Sequence, residues 1–282
     1  FEMKLIDILY PKMLEECIVA AGQIHGGNDF ALVKSRDRNY KAEVEIIRDL
    51  TDDNIEILYM KDNKTGYMEG MNSNGIGIIN SALLVYRDEQ PIGSSGSKDG
   101  PRIYNALKKH SLKDAIESLV KYHKGLKGHT LVGDAKQLFC IEMTEPDNAI
   151  ITELDPTTGF DVRTNHGIKH KDAGYDPIER KEDYISSRVR KYSAEVNLNG
   201  LENWEDLAKV LAKQQYEPTN PNNTMRRTNK MNTSTQIAMN LDRKEFNFYV
   251  FPKWCDFKGI TDNTPKDYKP AIKLKVITWK EK

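Results

Sequence analysis

The chain has 282 residues, of which 42 are basic and 42 acidic, and 38% of its residues are hydrophobic. This length and composition predict a globular protein with a large core, folded as one domain. Because the charges cancel, the composition does not indicate a nucleic acid or an anionic membrane as a partner. No stretch of the sequence approaches the roughly 20 consecutive apolar residues of a membrane-spanning helix.

The cysteines and the first residues bear on the compartment. Cys17, Cys140 and Cys255 are too few and too scattered for a disulfide framework, and none forms a CxxC pair. The first sixteen residues lack the basic, apolar and small-residue order of a secretory signal peptide. We therefore expect a cytoplasmic protein.

Strand patterns dominate the first part of the chain. The segment CIVAAG, which begins at Cys17, a turn at 26–29 and the segment FALVKS together predict a β-hairpin. NIEILYMKD and YMEGM, on either side of a turn at 63–66, predict a second hairpin. The apolar run from Gly75 to Val85 predicts a strand that is buried on both faces.

Helical spacing then appears in two blocks, at 103–108 with 111–122 and at 183–192 with 204–214. Ser111 is the expected N-cap of one of these helices. The polar segment 217–232 predicts a long surface loop, a candidate lid. Further strand patterns are found in HTLVGD, QLFCIEM, AIITEL, FDVRTN, TQIAMNLD, EFNFYVF and KLKVITW. Because the strands do not alternate regularly with helices, we expect a layered α+β fold of antiparallel strands.

Cys17 is the first candidate nucleophile. Lys34 and Asp37 follow it on the second strand of the predicted hairpin, so both are expected near Cys17. A cation beside a thiol favours the thiolate, and a carboxylate would hold a protonated amine. If Cys17 became the first residue of a mature chain, its α-amino group, with an ordinary pKa of about 7.7–8.0, would serve as the base for its own thiol.

The other reactive residues favour structural roles. Alternation places Cys140 in a strand core, and Cys255 has no nearby base, so both are expected to pack in the interior. His166 and His170 lie four positions apart, at i and i+4, but Gly167 and the adjoining turn argue against a metal-binding helix. We therefore expect no metal site there.

Several short blocks resemble the N-terminal-nucleophile cysteine hydrolases. This superfamily includes choloylglycine hydrolase, penicillin V acylase, acid ceramidase and the isopenicillin-N acyltransferase-like branch. Its nucleophilic cysteine matches Cys17, and its Arg-Asn-x-Asp block matches Lys34-Ser35-Arg36-Asp37 with one extra residue in the hairpin. The segments Glu69 to Leu83, Val162 to His166 and Ser186 to Arg190 are similar to its Gly-Met-Asn, Thr-Asn and Ser-Ser-Arg blocks.

The resemblance implies a four-layer αββα sandwich of antiparallel sheets. It also implies a role for each matched residue: Cys17 as nucleophile, Asp37 holding the new amine, Asn80 and Asn165 as oxyanion donors, Arg188 as the active-site arginine, and Lys34 beside the thiol. Lysine at position 34 replaces an arginine of the family, which keeps the charge but loses the planar guanidinium.

The implied activity is hydrolysis of a linear, non-peptide amide bond after self-cleavage between Glu16 and Cys17. Residues 1–16 would then be a leader, and residues 17–282 a single domain. The substrate would be a small-molecule amide, no metal or organic cofactor would be required, and a homo-oligomer is compatible with the relatives. An acyltransferase and a non-catalytic, uncleaved amide-binding protein remain alternatives. A zinc-dependent hydrolase is a more distant one.

Overall fold

The structure, a computed structural model, describes residues 15–24, 29–83, 96–121, 126–144, 148–171, 173, 181–213, 215–229 and 231–279. Most of the expected leader, most of the predicted turn at 26–29 and the end of the Gly75 to Val85 run lie outside these residues. Glu15 and Glu16, the last two residues of the expected leader, belong to the first strand.

Two β-sheets pack face to face. The six-stranded first sheet has the order β10 (Asp161–Arg163), β1 (Glu15–Gln23), β2 (Phe30–Arg38), β11 (Asn232–Asn240), β12 (Glu245–Val250) and β14 (Lys273–Thr278). The eight-stranded second sheet has the order β13 (Cys255–Asp262), β3 (Ala42–Leu50), β4 (Glu56–Asp62), β5 (Met68–Asn72), β6 (Gly77–Ser81), β7 (Gly128–Gly133), β8 (Leu138–Met143) and β9 (Ile150–Glu153).

Helices cover the outer face of each sheet. Helices α1 (Gly96–Leu107) and α2 (Leu112–Val120) pack on the second sheet, while α3 (Lys181–Leu198) and α4 (Leu207–Leu211) pack on the first. This gives the layer order α, β, β, α, and the predicted fold class is confirmed. Ser111 caps α2 as predicted, because its hydroxyl accepts a hydrogen bond from the Asp114 amide at 3.1 Å.

The strands are mostly antiparallel, with two exceptions that the sequence did not indicate. β12 pairs with β14 in parallel, and β13 pairs with β3 in parallel. Both exceptions arise because the chain crosses from the first sheet to the second for β13 and then returns. β13 was not predicted, since five of its eight residues are exposed and its hydrophobic pattern is weak.

Alternation along β1 divides its side chains between two cores. Val19 and Ala21 face the second sheet, in the main core. Ile18 and Ala20 face the helices, in a smaller core that includes Leu198 of α3. This two-residue period places neighbouring residues of β1 in different chemical surroundings.

The predicted surface loop at 217–232 is partly an interior segment. Asn223, Thr224 and Arg226 are buried in it. Its polar side chains bond to backbone groups: Thr224 donates to the Lys213 carbonyl at 3.0 Å. The polar composition therefore reflects buried polar groups that have hydrogen-bond partners, which a sequence pattern cannot distinguish from a solvated loop.

Candidate active site

The predicted first hairpin is present, and its register is unambiguous. β1 and β2 pair along their whole length, with Cys17 opposite Arg36 and Glu16 opposite Asp37. All nine residues of β2 are buried, including Lys34, Arg36, Asp37 and Arg38. Four buried charges on one strand are costly unless they are paired, and such clusters are found preferentially at functional sites.

The hairpin has two chemically distinct faces. We call the side toward the second sheet the inner face; it carries Cys17, Lys34, Arg36 and Arg38. The side toward α3 is the outer face, with Glu16 and Asp37. The assignment follows from alternation and from the contacts given below.

On the inner face, a guanidinium touches the candidate nucleophile. Cys17 is 2% exposed, and Arg38 Nη1 lies 3.5 Å from its Sγ atom. Arg38 therefore places a cationic group against the sulfur of Cys17. Arg38 was not among the predicted site residues. Its position in the alternating series 34, 36, 38 is the signal that could have identified it.

Lys34 has a different partner from the one that we expected. Its Nζ atom lies 2.6 Å from Glu69 Oε2 and 3.4 Å from the Tyr67 hydroxyl. Arg36 also reaches Glu69, at 3.3 Å, and Asp62 at 3.3 Å. Lys34 and Arg36 therefore bind carboxylates of the second sheet, while Arg38 contacts the thiol.

The backbone of Cys17 connects to Asn165, one of the predicted oxyanion donors. Ser81 Oγ lies 3.3 Å from the Cys17 carbonyl oxygen and 3.0 Å from that of Thr164. Asn165 Nδ2 lies 3.4 Å from the same hydroxyl and donates to the Ala82 carbonyl at 2.8 Å. Ser81 thus joins Cys17 to Asn165, although the sequence did not single it out.

Asn80 lies on the far side of its strand. Since Ser81 faces the first sheet, alternation directs Asn80 to the opposite face of the second sheet. There its amide donates to the Thr130 hydroxyl at 3.0 Å. The structure therefore does not bring Asn80 to the thiol of Cys17.

The outer face holds a buried cluster of two acids and two arginines. Glu16, 3% exposed, contacts Arg226 Nη1 and lies 3.3 Å from Arg190 Nη2. Asp37 Oδ2 lies 3.7 Å from Arg190 and 4.0 Å from Arg226, and Asp37 Oδ1 accepts from Thr233 at 2.7 Å. We call Glu16, Asp37, Arg190 and Arg226 the outer-face cluster.

Arg190 also binds Asn165, at 3.2 Å from Arg190 Nη2 to Asn165 Oδ1. Arg188, which the resemblance identified, is exposed on the same helix and stacks against Tyr184. A step of two residues turns a helix by about 200°, so these two arginines point in nearly opposite directions. Arg190, not Arg188, makes the contacts to Asn165 and Asp37.

Asp37 is fully buried, and this burial raises its pKa, whereas the charges of Arg226 and Arg190 act to lower it. Within the part of the chain that the structure describes, its Oδ2 atom accepts no hydrogen bond. Asp37 lies next to the backbone of Cys17, because it pairs with Glu16, the residue before Cys17, on the neighbouring strand.

Two buried histidines lie close to Asn165: His166 follows it in the chain, and His129 Nε2 lies 3.0 Å from the His166 carbonyl oxygen. Burial lowers the pKa of His166 and of His129 to about 4 in each case. His166 Nδ1 lies 2.8 Å from the Ser187 hydroxyl, and His129 Nδ1 lies 3.6 Å from Glu142. No group of three or more potential metal ligands occurs among the described residues.

The two other thiols are buried, and the effect of burial on their pKa outweighs that of the nearby cations, such as Arg163 beside Cys140. Burial raises the pKa of Cys140 and of Cys255 to about 12 in each case. Both thiols are therefore protonated at neutral pH, and protonated thiols are poor nucleophiles. The Cys17 sulfur contacts Arg38 near the start of β1.

Comparison with known proteins gives a fold. No protein-family model and no curated protein sequence matches the chain. The chain is similar in structure to the N-acylethanolamine-hydrolyzing acid amidase ortholog of Caenorhabditis elegans, with a TM-score of 0.50 and 12% identity over 80% of this chain and 93% of that chain. Penicillin V acylase from Agrobacterium tumefaciens gives a TM-score of 0.47 and 11% identity over 92% of this chain and 100% of that chain.

At 12% identity the likeness establishes the fold. The chain has the layered fold of the N-terminal-nucleophile hydrolases, as the sequence resemblance predicted. Within the described residues, no helix is long and apolar enough to cross a membrane.

Proposed function

We propose that the protein is a cysteine amidohydrolase that activates itself by cleaving the Glu16–Cys17 bond and then hydrolyses a linear amide through an acyl-enzyme on Cys17. The observation that carries this proposal is the contact between the Cys17 thiol and Arg38, near the start of the first strand. It occurs in a fold that the chain shares with an amidase of N-acylethanolamines. Burial raises the pKa of each of the other two thiols to about 12, so both are protonated at neutral pH.

In the self-cleavage step, the Cys17 sulfur attacks the carbonyl carbon of Glu16. The S–C bond forms as the C–N bond between Glu16 and Cys17 breaks, and the thiol proton passes to the departing amine. Water then hydrolyses the thioester, which releases the Glu16 carboxylate and restores the thiol. The product is a free α-amino group on Cys17, a base of suitable pKa beside its own nucleophile.

In turnover, the same thiol attacks the carbonyl of the amide substrate. The α-amino group takes the thiol proton and donates it to the leaving amine, after which water hydrolyses the acyl-enzyme. We assign the orientation of the α-amino group to Asp37, whose strand position is adjacent to Cys17. Asn165 is the oxyanion donor that we favour, since Ser81 connects it to Cys17.

Two roles differ from the ones that the resemblance implied. We propose Arg38 as the cation that lies beside the attacking sulfur, with Lys34 as an inner-face ion-pair partner of Glu69. We propose Arg190 as the arginine that positions Asn165 and Asp37, because Arg188 is exposed. Asn80 has no contact with Cys17 that supports an oxyanion role.

Acyl transfer to an amine is the second candidate, since the same acyl-enzyme serves both reactions. The test is product analysis with a panel of N-acyl amides, with and without added amines. We expect the free acid as the product, a thioester adduct on Cys17 by mass spectrometry, and loss of both in Cys17→Ala but not in Cys140→Ala. Activity that survives Cys17→Ala would overturn the proposal, and products that contain the added amine would favour the acyltransferase.

A further inference from the structure

The side chain of Glu16 occupies a ready-made carboxylate site. Its carboxylate contacts Arg226 and Arg190, and all four members of the outer-face cluster are buried. Arginine guanidinium groups bind carboxylates in preferred geometries that a lysine cannot reproduce. Around this carboxylate, Ser186 Oγ accepts from Arg226 Nη2 at 3.2 Å, and the Pro221 carbonyl accepts from Arg226 Nε at 3.3 Å. The Arg226 side chain is therefore held in place by groups other than Glu16.

Self-cleavage changes the charge of this site. In the uncleaved chain, the two acids and two arginines of the outer-face cluster balance. When residues 1–16 leave, Glu16 departs, while Asp37, Arg190 and Arg226 stay on the remaining chain. The new α-amino group of Cys17 then adds partial positive charge next to Asp37. Departure of Glu16 removes one carboxylate from its contacts with the two buried arginines, and another carboxylate at the same place would restore those contacts.

Glu16 is also the acyl donor of the first reaction. Its carbonyl carbon is the atom that Cys17 attacks, and Cα, Cβ and Cγ separate that carbon from the carboxylate that the arginines bind. Consider a substrate whose scissile carbonyl takes the place of the Glu16 carbonyl. If three carbons separate this carbonyl from a carboxylate, as in Glu16, the carboxylate reaches Arg190 and Arg226. A glutaryl group has this spacing.

We propose that Arg190 and Arg226 form a carboxylate subsite, and that the mature enzyme prefers amides whose acyl chain ends in a carboxylate, with the glutaryl group as the best fit. The preference for a substrate with a terminal carboxylate rests on the proposed function. The existence of the anion site itself does not depend on any activity.

The anion site is tested in the full chain with self-cleavage disabled. Glu16→Ala in a Cys17→Ala background removes the side-chain carboxylate from the site. Sodium propionate is then added at constant ionic strength, and its effect on the melting temperature is compared with the effects of sodium chloride and of propionamide. We expect propionate alone to raise the melting temperature, by roughly 3 °C at saturating concentration. Glu16→Gln in the same background, whose side chain fills the site, is the matched control, and propionate should raise its melting temperature less. An equal response to propionate and chloride would overturn the site.

The substrate preference is tested on the processed enzyme with glutaryl and pentanoyl p-nitroanilides, which differ by a carboxylate in place of a methyl group. We expect kcat/KM to be at least about tenfold higher for the glutaryl amide, and Arg226→Met to bring the ratio toward one. Equal turnover of both amides would overturn the preference and leave the proposed amidase intact. If neither amide is cleaved, the propionate experiment still decides the anion site, so failure of the proposed function is distinguishable.

Discussion

The two faces of the β1–β2 hairpin contain similar residues but have different chemistry. On the inner face, Lys34 and Arg36 are bound to carboxylates of the second sheet, and Arg38 contacts a thiol. On the outer face, Glu16 and Asp37 face two arginines from α3 and from the segment before β11. In the proposed mechanism, the inner face therefore carries the nucleophile and the cation beside it, and the outer face holds both the residue that precedes the nucleophile and the acid assigned to its amine.

Position on a strand, more than residue type, therefore decides the role of a charged side chain in this hairpin. Residues 36, 37 and 38 are consecutive, yet two of them face the thiol side and one faces the helix side. A shift of one residue in the register of β2 would exchange the side chains on the inner face with those on the outer face.

The largest expected effect concerns the outer face. In a Cys17→Ala background, which keeps the chain uncleaved, Arg190→Met should lower the free energy of unfolding by roughly 3–5 kcal/mol, because it leaves Glu16 and Asp37 buried with one arginine fewer. Arg188→Met, two positions earlier on the same helix, is the matched control and should change it by less than about 0.5 kcal/mol. Urea denaturation of both variants measures the difference. Similar losses for the two would refute the distinction between these arginines.

The second effect concerns pH. Burial holds the pKa of His166 at about 4, below its unfolded value of about 6.5. The unfolded chain therefore binds more protons in this window, and the contribution of His166 to stability, on the order of 3 kcal/mol, is lost as pH falls from about 6.5 to 4. His166→Gln should reduce the drop in unfolding free energy over this range.

Urea denaturation at a series of pH values measures this drop, with the exposed His110→Gln variant as the control. The raised pKa of Asp37 acts in the opposite direction, since its contribution falls as pH rises. An unchanged profile in His166→Gln would contradict the assignment.

The third and smallest effect compares two cations of the inner face. In a Cys140→Ala, Cys255→Ala background, Arg38→Met should slow alkylation of Cys17 by iodoacetamide at neutral pH by about tenfold, because the sulfur loses its contact with the guanidinium. Lys34→Met should have a smaller effect, because Lys34 binds Glu69. A larger effect from Lys34→Met would restore Lys34 to the role that the resemblance implied.

Local patterns predicted much of the fold. The β1–β2 and β4–β5 hairpins, the buried strand β6 and the Ser111 cap follow from alternation, turn residues and capping chemistry. The resemblance supplied the layer order. The parallel edge pairs were not predictable, because they depend on which sheet the chain enters after β12.

Only part of the candidate site could be predicted from the sequence, and the reason is physical. Cys17, Asp37 and Asn165 stand in short motifs whose surroundings are set by strand pairing. Arg38 and Arg190 were missed because Lys34, on the same strand, and Arg188, on the same helix, carry the same charge. Only the strand register and the helix rotation decide which cation reaches the site. Glu16 was predicted only as a cleavage position, since a sequence does not show that its side chain is buried between two arginines.

The central claim is that Cys17 cleaves the bond before it and becomes the first residue of the working enzyme. Intact mass and N-terminal sequencing of the purified protein over time test it directly. We predict a chain that begins at Cys17 for the wild type and for Cys140→Ala, and only the uncleaved chain for Cys17→Ala. Wild-type protein that stays uncleaved after long incubation, with Cys17 unlabelled by a thiol-reactive acyl probe, would contradict the account.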